Sequence, residues 1–308
     1  MVNRNDTSLA GMARRDLMIA GVGAAALAVG LGRARTALAE TGPSLAAPAS
    51  PGRVVVEQRG AVLMVGIEWP QGRNRLDAPV IIGLGKAYYQ LEHDDGLRVG
   101  VVHADGPDFC AGLDVQGFVA AQAAGILPPK EPAINPLGLR PPFRTKPIVV
   151  AVHGRTQSVG HELFLSSDIR VAAIDCIFGQ LEVTRGVFPA GGATVRFPRE
   201  AGWGNAMRYM LTGDEWGTDE ARRMGLVQEV TPLGKQLDRA VELANKIAAA
   251  APLGVRATLA SSHQALAAEE ATALAALQQD FGRILQSEDA KESQRAQRED
   301  RPPVYHGQ

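Results

Sequence analysis

Between residues 53 and 231 short β-rich runs alternate with segments of helical period, and this alternation restricts the chain to an α/β core more tightly than any other feature. VVVEQ (54–58) and AVLMVGI (61–67) flank Arg59 and Gly60 as a hairpin-like strand pair. After the loop PQGRNRLD, the segment PVIIGLGKAYYQLEHD carries apolar residues at helical spacing. LRVGVVHA (97–104) follows as a buried strand ending in the loop DGPDFCAG. A short helix-like VAAQAAG and a Pro-rich excursion lead to the strand PIVVAV (147–152). Beyond Pro232 the character changes: KQLDRAVELANKIAAAA, VRATLASSHQALA and ATALAALQQDFGRILQ read as three amphipathic helices without strands. Apolar helices set on a body of this size predict subunit packing. No self-similarity at a period of 20–50 residues marks a sequence repeat.

With 308 residues, 45% apolar residues and a net charge of −1, the chain can bury a full core, so disordered and collagen-like classes are excluded. Only 5% of residues are aromatic and the body holds no basic block, leaving no footprint for nucleic acid. Cys110 and Cys176 sit in apolar company and read as core packing.

The first forty residues carry an address. Arg14 and Arg15 precede a weakly hydrophobic Gly/Ala stretch that ends at Ala37, Leu38 and Ala39, the order of a twin-arginine secretory signal. Its apolar run is short of the roughly 20 residues a membrane span needs, so no stable span is expected. Gly21 and Gly23 open a partial G-x-G-x-x-G/A, but no strand precedes it and the required acid is missing. The organisation expected is a signal over residues 1–39, a Pro-rich linker over 40–52, a core over 53–231 and a helical region over 232–308. The address predicts a periplasmic or secreted protein; an unused signal would leave it in the cytoplasm.

Glu162 stands at the mouth of the apolar run SVGHELFLSSDIRV, directly after the strand PIVVAV. If a helix begins near Gly160, unpaired amides near Val159 point outward and make a site for developing negative charge, with Glu162 one turn away as base or acid. The plainer alternative is that Glu162 complements the helix dipole, worth about 0.3 to 1 kcal/mol. Other motifs fail on spacing. His161 and Glu162 open like H-E-x-x-H, but Leu165 occupies the second histidine position, and Thr156 stands where a G-x-S-x-G elbow around Ser158 needs glycine. The six histidines show no ligand spacing, so no metal is expected. Company strengthens the functional reading: GPDFCAGLDV supplies a second strand-to-helix loop, and FGQLEVTRGVFPAGGA places Glu182 in a Gly-rich setting.

These motifs, in this order, resemble the crotonase (enoyl-CoA hydratase/isomerase) superfamily over nearly everything from Val54 onward. FCAGLDV is similar to the family's first oxyanion loop, KPIVVAVHG with GHEL to its second, and SSDIRVAA with FGQLE to its glutamate-bearing strand and turn; the segment 186–230 and the terminal RPPVYHG continue the likeness. The resemblance implies a ββα spiral core with a C-terminal helical trimerisation region. It puts oxyanion donors on the backbone N–H of Leu113 and Val159, acid–base chemistry on Glu162 and Glu182, and the acyl-CoA site along Ala111, Gly112, Asp114 and Val115. Val159 fits where the family often has glycine if its φ stays negative. Both acids of the hydratases are present, and water addition across a conjugated double bond needs one group to take a proton and one to give it. The resemblance further implies a trimer, or six subunits as paired trimers, and no cofactor besides the coenzyme A of the substrate. Leu181, His161 and the pair Ser158 and Val159 depart from the family pattern; His161 reads as a supporting or packing residue.

Export and CoA chemistry pull apart, since a free acyl-CoA pool belongs to the cytoplasm. Cleavage of a β-diketone or hydrolysis of a thioester passes through the same type of charge and is the enzymatic alternative. A non-catalytic binding protein on the same fold is the third reading.

Overall fold

The computed structural model describes residues 52–304, with the side chains of 264–265 and 267–280 outside that description. The twin-arginine segment, its cleavage point, the Gly21 and Gly23 stretch, nearly all of the linker and the terminal YHGQ lie outside the described residues. Nine strands run as β1 (Arg53–Arg59), β2 (Val62–Glu68), β3 (Val99–Ala104), β4 (Ile148–Val152), β5 (Arg155–Gln157), β6 (Ile169–Ala173), β7 (Ile177–Gly179), β8 (Glu215–Gly217) and β9 (Glu229–Thr231) among the described residues. The helices there are α1 (Ala78–His93), α2 (Val115–Ala123), α3 (Val159–Leu165), α4 (Ala193–Ala201), α5 (Trp203–Thr212), α6 (Thr218–Arg223), α7 (Gln236–Ala249), α8 (Pro252–Leu285) and α9 (Glu288–Arg298).

A six-stranded sheet orders β1-β2-β3-β4-β6-β9, and a three-stranded sheet orders β5-β7-β8. Only β1, hairpinned onto β2 through Gly60 at φ +60°, is antiparallel in the larger sheet. From β4 to β7 the chain alternates between the two sheets, β8 then pairs antiparallel with β7 in the smaller one, and β9 returns to the larger, winding as a spiral. The inner parallel strands are buried on both faces, which is why they read as unbroken apolar runs.

One face packs on α1, α3 and α4 through Leu84, Leu91, Leu163, Phe164 and Phe197. The other is covered by α7, whose Ala240 and Ala244 lie fully buried against Met64, Val101, Val149 and Val171. The first of the C-terminal helices thus closes the subunit's own core. The last two segments read as separate helices in the sequence run on as one, α8, because the intervening AEE (268–270) offers strong helix formers and no breaker. Cys110 and Cys176 are free and buried. Among the described residues no helix is long and apolar enough to cross a membrane.

Candidate active site

One loop leaves the C-terminal end of β3, the edge where open α/β sheets bind ligands, and a second joins β5, the short strand that follows β4, to α3. The first, carrying Ala111, Gly112, Leu113, Asp114 and Val115, is tied on both sides. The Cys110 amide donates to the Arg155 carbonyl and the Gln157 amide to the Cys110 carbonyl, both at 2.9 Å, stitching the loop to β5. On its far side the Leu76 amide donates to the Gly112 carbonyl at 2.9 Å and the Asp114 amide to the Leu76 carbonyl at 3.0 Å. With its two neighbours bonded to Leu76, Leu113 turns its own amide the other way, as alternation along an extended strand requires. Gly112 has φ +116°, a conformation that excludes most side chains, and an added Cβ would stand 3.4 Å from the Ser158 Cβ. Asp114 caps α2 by position, and Val115, its first residue, is exposed.

The second loop enters α3. Val159 is the first helical residue, so its amide has no partner within the helix. The positive φ falls one residue earlier, on Ser158, at φ 54° and ψ −127°. Gly160 faces Cys110 so closely that a Cβ would sit 2.6 Å from the Cys110 Cβ, and this contact lets α3 approach the first loop.

Glu162 projects from the first turn of α3 and is 3% exposed; Glu182 opens the 3-10 turn Glu182–Arg185 after β7 and is 8% exposed. The two elements bring both acids into one buried place, close enough for the charge of one to act on the other. Glu162 Oε1 accepts the Gly191 amide at 2.7 Å and the Ala193 amide at 3.1 Å, so the loop before α4 grips this carboxyl. Burial, then the neighbouring Glu182 charge, push the Glu162 carboxyl up to about 8 against the opposing pull of those two amides and of Arg196. Glu182 is likewise raised by burial, with the Ser158 hydroxyl, which donates to its Oε1, acting in the opposite direction. Among the described residues Glu182 Oε2 has no hydrogen-bond partner. Two such groups raise each other's cost of ionising, so the pair as a whole favours holding a shared proton.

The sequence-derived residues thus fall into two loops and two acids, the first loop following β3 of the larger sheet and the rest following β5 and β7 of the smaller one. The Gly191 and Ala193 amides and the Ser158 hydroxyl were missed. AGGA was visible as a glycine-rich run, but its grip on a residue some thirty positions upstream carries no local signature. His161 lies fully buried, its ring 5.2 Å from those of Phe197 and Trp216 and stacked on Phe164 at 5.7 Å. Burial, helped by the Arg170 charge, pushes it down to about 3, and neither ring nitrogen has a partner among the described residues. It is a neutral packing residue.

A spiral of this topology with a buried acid pair, one acid on α3 after β5 and the other in the turn after β7, defines a crotonase-fold protein. The sequence profile described as enoyl-CoA hydratase/isomerase matches residues 57–308. The enoyl-CoA hydratase EchA19 of Mycobacterium tuberculosis is 33% identical over 259 residues, spanning 82% of this chain and 95% of that protein. A short-chain-enoyl-CoA hydratase of Clostridium acetobutylicum is 31% identical, over 79% of this chain and 93% of the relative. Among solved structures, a probable enoyl-CoA hydratase/isomerase from Mycobacterium abscessus superposes with a TM-score of 0.68 at 40% identity, covering 83% of this chain and 98% of its own. A carnitinyl-CoA hydratase from Mycobacterium avium gives 0.74 at 31%, with the same coverages. The chain belongs to the enoyl-CoA hydratase/isomerase family of the crotonase superfamily.

Proposed function

We propose that this protein hydrates an α,β-unsaturated acyl thioester, with Glu162 and Glu182 as its acid–base pair and the Leu113 and Val159 amides as its oxyanion donors. The observation that carries the reading is the buried acid pair, one member held by amides and the other by a hydroxyl. A purely structural role leaves two adjacent buried carboxyls unexplained, because each raises the cost of ionising the other. The Leu113 and Val159 amides polarise the thioester carbonyl and receive the charge as the double bond's electrons move towards the enolate. Ionised Glu182 takes a proton from water as its oxygen bonds to the β-carbon; protonated Glu162 gives a proton to the α-carbon as the carbonyl re-forms. Ala111, Gly112, Asp114 and Val115 line the acyl-CoA path. Coenzyme A enters with the substrate, and the short-chain and carnitinyl thioesters in the names of the relatives mark the substrate class to try first. Three subunits, or six as paired trimers, assemble through the C-terminal helices. Exposed Trp203 and Leu211 on α5 and Leu253 on α8 supply apolar surface for that packing.

Glu162→Gln and Glu182→Gln are each expected to lower crotonyl-CoA turnover by about 10²- to 10⁴-fold. Wild-type rates in both variants would overturn the acid–base assignment. The signal-like N-terminus favours a second reading, cleavage of a free β-diketone by the same site. Cleavage of a β-diketone by a protein that leaves crotonyl-CoA untouched would put that reading first.

A further inference from the structure

We infer that Ser158 is a positioning residue that fixes Glu182 through its hydroxyl, leaving the buried second carboxylate oxygen free to accept a hydrogen bond from substrate water. The inference rests on the hydratase reading. Three observations meet on this serine. Its backbone stands at φ 54° and ψ −127°, a region that glycine occupies freely and other residues rarely adopt. It holds the N-cap position of α3, where a serine hydroxyl ordinarily accepts from a first-turn amide, yet its side chain makes no cap bond. The hydroxyl donates to Glu182 Oε1, while Glu182 Oε2 has no partner among the described residues. The side chain also lies against the first loop, since a Cβ on Gly112 would be 3.4 Å from its Cβ and 3.8 Å from its Oγ. Backbone strain is retained, and a helix cap forgone, at the junction of both loops and one acid. The hydrogen bond to that acid is what a glycine here could not supply.

The two sources of effect separate by substitution. Ser158→Ala keeps the strained Cβ and loses the hydroxyl; Ser158→Gly loses the hydroxyl and relieves the strain. Both are expected to lower kcat on crotonyl-CoA by about 10- to 100-fold, the range of one hydrogen bond to a charged group. Both should shift the acid limb of the pH–rate profile upward, because the lost donor favoured ionised Glu182. The glycine variant should melt about 2–4 °C above the alanine variant. In a Ser158→Ala, Glu182→Gln double variant, the serine change should add little to the glutamine loss. Rates that follow stability, with glycine at wild-type turnover and only alanine impaired, would overturn the inference. So would an unmoved acid limb or additive losses. Wild-type turnover in Glu182→Gln alone would instead remove the hydratase reading, so the two failures are distinguishable.

Discussion

Gly191 has no room for a side chain: a Cβ there would lie 2.2 Å from Glu162 Oε2, although its amide is the shorter of the two bonds that hold the same carboxyl. Gly191→Ala should therefore displace the Glu162 carboxyl while leaving the fold intact. About 10²-fold lower kcat with an unchanged far-ultraviolet circular dichroism spectrum is expected; undiminished turnover would show that the carboxyl need not sit where Gly191 places it. The proton on Glu162 makes a second prediction. In the proposed mechanism the acid form of Glu162 gives a proton to carbon, so kcat/KM should fall as pH rises through about 8. Stability follows the same group. Its folded pKa, about 8, is raised above the ordinary 4.5. Its contribution is therefore complete below about pH 4.5 and lost as pH rises through about 8. Glu162→Gln removes this titration, so its melting temperature should gain on that of the wild type between pH 5 and pH 8.5. Parallel melting curves across that range would mean that burial does not hold the proton on Glu162. Of these relations, the two glutamates were legible because each stands in a recognisable local setting. Gly191, Ala193 and Ser158 were not, because they act on partners distant in sequence.

Helix α3 is seven residues long and wholly buried, so its place depends on what it packs against more than on its own propensity. Gly160 sets that contact. An alanine would bring its Cβ 2.6 Å from the Cys110 Cβ, 2.8 Å from Sγ and 3.0 Å from the carbonyl oxygen. Backbone is among the atoms that must yield, so helix and loop would move apart. Gly160→Ala is expected to cost about 1–3 kcal/mol in urea unfolding, against the small gain alanine brings to an ordinary helix. A variant as stable as the wild type would show that the two loops are not locked together here. The same distinction governs which elements the sequence revealed. β2, β3 and β4 are inner parallel strands, and burial on both faces writes itself as a continuous apolar run. The three-residue strands β5, β7 and β8 carry no period, and only pairing into the second sheet defines them. α7 showed its amphipathic face, but not that the face meets this subunit's own sheet, since an apolar stripe is the same whether its partner is intramolecular or a second copy.

At the scale of the whole molecule, residues 1–39 and the buried acid pair make opposing demands. A twin-arginine signal directs a folded protein outward, and the described residues from Gly52 to Val304 carry buried hydrophobic cores of their own. We propose that the chain is exported after folding and cut after Ala39. Protein purified from the periplasmic fraction should then begin at Glu40, and the Arg14→Lys, Arg15→Lys double substitution should hold it in the cytoplasm with the fold and crotonyl-CoA activity of the body unchanged. Full-length protein confined to the cytoplasm of wild-type cells would refute export and remove the conflict with an acyl-CoA substrate. A start at Glu40 would sharpen the conflict instead. The proposed oxyanion donors and acid pair would act on a carbonyl and its conjugated carbons, not on the nucleotide end of coenzyme A. A site of this construction therefore needs only an activated carbonyl within reach of its two loops, and an exported enzyme would meet that need with a thioester or diketone available outside the cytoplasm.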